Sequence, residues 1–283
     1  MLALATVAAA ILAVVAPAGV TAIGADGPRV AYATADCGVR LWDRWRIVAF
    51  GRDPACEATS TATAVAAVAV AGSRVAWLHH TGGHVGEWSL WTATPTRRAP
   101  RRLAFATAEP DAAAPIVLGE GDRDLLPYAV RDTAVVLHAN GARAYAWKAP
   151  ARVTAVAAQQ GQVVVATRDG SATILDADGR VVQTERFDGP ATAVRLTRGG
   201  LVAEVGRTLE LRSPAGARSY PLPAHTVLAD AAGGIAILVG GGRVQGLDLV
   251  TGGRAQLGPG AAAQLELPWL TIADSRRVSS RRL

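Results

Sequence analysis

The sequence predicts an all-β chain built from tandem four-stranded units, and three observations lead there. Short runs rich in β-branched residues are separated by a turn signal about every 8 to 12 residues. Asp-Gly and Gly-Gly pairs supply those turns, because glycine accepts the positive φ that a tight hairpin demands. After residue 26, no apolar period of 3.6 residues lasts as long as the roughly 10 to 12 residues of a stable helix.

The pattern is clearest over residues 154 to 189, which parse into "TAVAAQ", "QVVVATR", "SATILDA" and "RVVQTERF". Asp169-Gly170, Asp178-Gly179 and Asp188-Gly189 punctuate these runs. Val163, Val164 and Val165 are stiff at χ1 and suit a strand better than a helix. Four antiparallel strands in so short a stretch make one blade of a β-propeller. Similar units open at Thr63, Ala114, Thr192 and Thr226, roughly 33 to 50 residues apart. Partial units of three strands each stand at Pro28–Gly51 and at residues 261–283. Seven blades are expected, with six as the alternative, depending on whether the two ends share a blade. Closing the ring removes the exposed strand edges that otherwise promote aggregation. No linker divides the chain, so residues 26–283 are expected to form a single domain.

The opening residues read differently. No charge precedes Asp26, Leu2 to Val15 is apolar, and Pro17 and Gly19 then break the run. Val20-Thr21-Ala22 places small residues where signal peptidase cuts. Residues 1–25 are therefore expected to be a signal peptide cleaved near Ile23, with an uncleaved membrane anchor as the alternative. The positive n-region of a signal peptide is missing. Export agrees with the two cysteines, Cys37 and Cys56, which flank two alternating runs, "GVRLWD" and "WRIVAFG". A hairpin there brings its flanks together, and a disulfide in an oxidising compartment would stabilise the fold by about 3 kcal/mol. Two free buried thiols are the alternative. The expected location is secreted or cell-envelope.

The formal net charge is +6, and the basic side is arginine almost throughout, Lys148 being the single lysine. The arginines are scattered except for Arg97, Arg98, Arg101 and Arg102 and a tail with Arg276, Arg277, Arg281 and Arg282. Nucleic-acid binding needs a clustered basic face with aromatics between the charges, and is not expected.

The blade sequences "DGSATILDADGRVVQTERF" and "GGRVQGLDLVTGGRAQL" resemble those of pyrroloquinoline-quinone-type and related WD-repeat-like bacterial propellers. The blades of that family run glycine, small, apolar, "LD", then "DG" or "TG" before the outer strand. The resemblance is best over residues 150–258 and implies the fold. It does not extend to a cofactor, because the seven tryptophans fall at irregular places and no docking repeat is present. The stretch "RVAWLHHTGGHVGEWSLWTATPTRRAPRRL" is also similar to segments of exported actinobacterial propeller-like proteins.

Several local stretches carry residue types found in binding or metal sites. "HHTGGHVGEWSLW" holds His79, His80, His84 and Glu87. His79 and His80 are adjacent on a strand and point to opposite faces, so they do not share a metal. The stretch is expected to be two strands joined by a polar hairpin loop, with Trp88 or Trp91 packed between blades. "DADG" at Asp176–Gly179 lacks the distal glutamate of a calcium loop and reads as a turn. Asp122 and Asp124 in "GEGDRD" either bind a cation or cap their loop, and capping is expected. "GPGAAA" at Gly258–Ala263 has no following helix and is not a dinucleotide fingerprint. His138 and His225 are lone histidines. No catalytic, metal or cofactor residue is therefore assigned. No polar residue stands out at a fixed blade position, which favours a monomeric binding module for a protein or cell-envelope ligand. The alternative is a lyase, lactonase or glycan-active hydrolase working at the channel mouth.

Overall fold

The computed structural model describes residues 12–16, 18–43, 45–52, 63–110 and 112–283. It is a ring of seven four-stranded antiparallel sheets, with no helix among the described residues. In chain order, β1 (Leu12–Val15) comes first and belongs to the last blade. Blade 1 is β2 (Val20–Asp26), β3 (Arg29–Thr34), β4 (Gly38–Asp43) and β5 (Arg46–Arg52). Blade 2 is β6 (Thr63–Ala71), β7 (Arg74–Thr81), β8 (Gly86–Thr94) and β9 (Arg97–Ala108). Blade 3 is β10 (Ile116–Leu118), β11 (Leu125–Val130), β12 (Thr133–His138) and β13 (Arg143–Lys148). Blade 4 is β14 (Val153–Gln159), β15 (Gln162–Thr167), β16 (Ser171–Leu175) and β17 (Val181–Arg186). Blade 5 is β18 (Ala191–Thr197), β19 (Gly200–Val205), β20 (Thr208–Ser213) and β21 (Gly216–Pro221). Blade 6 is β22 (Thr226–Ala232), β23 (Ile235–Gly240), β24 (Arg243–Asp248) and β25 (Arg254–Pro259). Blade 7 is β26 (Ala262–Glu266), β27 (Trp269–Ala273), β28 (Arg277–Arg282) and β1, in that spatial order.

The count of seven holds, and the two ends of the chain share the last blade. β1 pairs antiparallel with β28, Leu12 opposite Ser280 and Val14 opposite Val278. The first unit is a complete blade, because Val20–Asp26 provides its inner strand and buries Ile23 and Ala25. The expected boundary at residues 25 and 26 thus falls inside this strand. Residues 1–11, the rest of the expected signal or anchor segment, lie outside the described residues.

Seven apolar cores hold the ring, one between each pair of neighbouring blades. Alternation along each strand sends successive side chains into the cores on its two faces. In β15, Val164 and Ala166 face blade 5, while Val163 and Val165 face blade 3. Both faces of the inner three strands are buried, so these strands read as apolar runs. The outer strands, such as β17 and β21, are largely exposed and polar.

Aspartates shape the turns. Asp176 Oδ1 accepts the Asp178 and Arg180 amides at 2.9 and 2.8 Å, and Asp248 Oδ1 accepts those of Val250 and Thr251 at 2.7 and 2.9 Å. These are the "LD" positions of two blades. Thr34 and Thr167 donate their hydroxyls to Asp36 and Asp169 in matching turns after the second strand. The Ser171 and Thr167 hydroxyls hold the Asp169 carboxyl down at about 2. Polar residues do recur at fixed blade positions, contrary to the sequence reading, and they serve the turns.

Candidate functional site

The candidate site is the central channel and its mouth on the face where the inner strands end. Its key side chain comes from the shortest inner strand. β10 stops after three residues, and Gly119-Glu120-Gly121 passes between the inner strands of the neighbouring blades. A Cβ on Gly119 would lie 2.3 Å from the Val156 carbonyl oxygen, and one on Gly121 would lie 2.2 Å from that of Val70. Only glycine fits at either position. The Glu120 carbonyl accepts the Ala158 amide at 2.9 Å, and Glu120 forms an isolated parallel bridge to Ala157.

So held, the Glu120 carboxylate meets the Arg195 guanidinium of β18. Arg195 Nε also reaches Asp230 Oδ1 of β22 at 3.1 Å. Arg195 Nη1 and Nη2 donate to the carbonyls of Val194 and Ala229 at 2.8 and 2.7 Å. Asp230 Oδ2 accepts the Leu265 amide of β26 at 2.5 Å, and Oδ1 accepts the Ala231 amide at 2.7 Å. Three blades contribute the charged groups and a fourth supplies an amide. The Asp230 and Glu120 side chains are 3% and 9% exposed, and that of Arg195 is 15% exposed. Burial lifts the Glu120 carboxyl well above the usual range and outweighs the pull of Arg195, with Asp230 repelling a second negative charge. Glu120 also hydrogen-bonds to Asp230, which adds to the upward shift. Burial opposes the charge on Arg195, but the two acids outweigh it and hold it cationic. Glu120 Oε1 has no partner among the described residues.

This trio stands in the channel between two spaces. On one side lies a cavity of about 320 Å³, lined mainly by small residues of β2, β6, β22 and β26, with Glu120 and Arg195 as its charged members. The other space, of about 740 Å³, is the mouth. Turns of blades 3 to 7 line the mouth with Asp122, Arg123, Gln160, Arg198 and Glu266, beside the exposed Leu267. Burial, then repulsion from Asp230, Asp26 and Asp122, pushes Glu266 up to about 8 against the weaker pull of Arg123. Asp26 is also raised by burial, although its carboxylate accepts the Gly72 amide at 2.6 Å.

The residues singled out from the sequence take the following places. "SRVAWLHH" and "EWSLWTAT" are β7 and β8 of one hairpin, as expected, and His84 is exposed in their loop. His79 is buried with its Nε2 3.9 Å from Cys37 Sγ, whereas the His80 ring packs tilted by 31° against Trp88 with centroids 4.2 Å apart. Trp88 packs on the core between blades 2 and 3, and Trp91 on that between blades 1 and 2. Cys37 is buried, and its expected partner Cys56 lies outside the described residues. Asp122 accepts the Gly161 amide at 3.2 Å, a contact with a turn of the next blade rather than a cap on its own loop, and it also lines the mouth. Asp176 uses its carboxylate on the turn amides. His138 and His225 are exposed, and the inner strand β26 follows "GPG". Among the described residues, no three His, Cys, Asp or Glu side chains gather as metal ligands.

The sequence reading missed Glu120, Arg195, Asp230 and Glu266. A signal was available: "TAVRLT", "TVLADAA" and "AAQLE" each place a charge within an otherwise apolar inner strand. Burial on both sides makes such a charge costly unless it is paired.

The architecture and site define a seven-bladed β-propeller that carries a buried Glu120–Arg195–Asp230 cluster in its central channel. Comparison with solved structures agrees. One chain of the "Crystal Structure of Mitotic Checkpoint Complex" superposes with a TM-score of 0.59 at 14% identity, over 95% of this chain and 94% of that one. Chaetomium thermophilum Raptor matches with a TM-score of 0.59 at 14% identity, over 95% of this chain but 28% of Raptor. The computationally designed Ika8 protein matches with a TM-score of 0.52 at 14% identity, over 94% of this chain and 96% of that one. Identities this low show the fold alone. No family model matches the chain, and no curated protein sequence matches it.

Proposed function

We propose that the protein is a binding module whose partner, a protein or a cell-envelope ligand, docks on the face carrying the mouth. The observation that carries this reading is the mouth itself, a cup of about 740 Å³ lined by turns of five blades. The buried trio stands behind it, and turns of blades 3, 5 and 7 hold charges of both signs around it. Such a cup suits a protruding polar group rather than passage through the channel. That one similar propeller belongs to the mitotic checkpoint complex supports a protein partner. A photo-crosslinking residue at Leu267, on the rim, tests the docking face against one at the exposed Val181 of β17. An adduct at Leu267 that is lost with Arg198→Glu is expected. Equal labelling at both positions would overturn the assignment.

Glu266 favours a second reading. A carboxyl held near 8 at the edge of a cleft is suited to act as a general acid. On this reading the protein is a lyase, lactonase or glycan-active hydrolase. Turnover of a lactone or glycan panel that disappears in Glu266→Gln would establish it.

An extracytoplasmic location is also proposed, on the apolar opening run and the two cysteines. On this reading the mature chain retains Leu12–Val15, because blade 7 uses that strand. N-terminal sequencing of exported protein checks this, and a folded product beginning at Ile23 would refute it.

A further inference from the structure

A second cavity, of about 310 Å³, opens between blades 2 and 3, away from the channel. Arg74, Arg97 and Arg101 line it, together with Thr94, Asn140 and Gly141. No acid lines it, and none of the three arginines has a carboxylate partner among the described residues. We propose that this cleft is a binding site for a tetrahedral oxyanion, namely phosphate, sulfate or a small ester of either.

The site is built rather than incidental. Arg74 is buried at the start of β7, and its Nε donates to the Ala139 carbonyl at 2.9 Å. Its Nη1 reaches the Thr92 hydroxyl at 3.2 Å, and that hydroxyl in turn donates to the Val75 carbonyl at 2.9 Å. These contacts fix the guanidinium plane. Nη2 makes no hydrogen bond among the described residues. It lies against Gly141, where a Cβ would sit 2.4 Å from it. Gly141 has a φ of 90°, so no side chain intrudes at that point. Alternation along β9 sets Arg97, Ala99 and Arg101 on the cleft side. Arg102 turns elsewhere and lies over the rings of Trp91 and Phe105. Burial, then Arg101 and Arg97, lowers the affinity of Arg74 for its proton, and no acid offsets this. Three cations converging without a counterion favour an anion, and a guanidinium fork matches the geometry of a tetrahedral oxyanion. The cleft is concave and walled by two hairpins, which suits a small anion better than a flat membrane surface.

Calorimetric titration of the full chain with inorganic phosphate and with glycerol 3-phosphate, at low ionic strength, tests the site. Both should bind. Arg97→Gln with Arg101→Gln should weaken them by at least about tenfold, since each substitution removes a charge-assisted bond. These two side chains are exposed, so the variant retains the fold, and a thermal melt verifies that. Arg98→Gln with Arg102→Gln removes the same charge from the same strand and should leave affinity unchanged. Equal losses in the two pairs would overturn the site in favour of a diffuse basic surface, and so would no measurable binding. Tight binding to phosphatidic acid vesicles with no response to either soluble anion would overturn it in favour of a membrane contact.

Discussion

At the scale of single residues, arginine does much of the work of holding blades together. Arg29 donates to the Gly72 carbonyl at 3.2 Å, Arg152 to Ala114 at 2.8 Å, Arg254 to Pro221 at 2.6 Å and Arg281 to Leu257 at 2.8 Å. Each of these bonds crosses from one blade to the next. A forked, permanently charged donor suits carbonyls left at strand ends. Arg195 differs in meeting two carboxylates from two other blades, Glu120 and Asp230. Replacing it by methionine leaves Asp230 buried without its counterion and should cost about 3 kcal/mol in urea unfolding. Glu120→Gln should cost less, about 1 kcal/mol, because burial already disfavours the charge on Glu120 and an amide can keep the hydrogen bond to Asp230. Equal costs for the two variants would mean that the charge on Glu120 matters as much as that on Arg195.

At the scale of elements, β1 decides how the ring closes. Leu12 and Val14 face the core between blades 7 and 1, and Ala16 is buried beside them. β1 also covers the hydrogen-bonding edge of β28. A chain starting at Ile23 loses this strand and the first three residues of β2. It should be less stable by at least about 2 kcal/mol from lost apolar burial alone, and it should self-associate through the bared edge. Thermal melts and light scattering check both effects. An unchanged melt would mean that β1 adds little to closure. Legibility also varied by element. Blades 4 to 6 were readable from their Asp-Gly and Gly-Gly turns, because hairpin chemistry is local. β2 was read as the end of a signal peptide, because a strand buried on both faces has no alternation to distinguish it from a leader.

At the scale of the molecule, acids crowd one end of the channel. The folded state raises Glu266 to about 8 from an ordinary value near 4.5, and it also raises Asp26 and Glu120. Between those two values the folded chain holds protons that the unfolded chain has released. Stability therefore falls as pH rises through that window. The melting temperature should decline from pH 5 to pH 8, and Glu266→Gln should flatten the decline. A melting temperature that rises over this range would contradict the burial of these acids.

The sequence by itself left the count between six and seven blades, but it determined the repeat, the β class and the turns. Each of these follows from interactions between residues close in the chain, namely alternation, χ1 stiffness and the positive φ of glycine. Tertiary structure alone decided that Leu12–Val15 closes the ring, that Glu120, Arg195 and Asp230 meet in the channel, and that Arg74 joins Arg97 and Arg101 in a cleft. The residues in each of these groups lie far apart along the chain and come together only when the blades stack in a circle, so no local pattern records them.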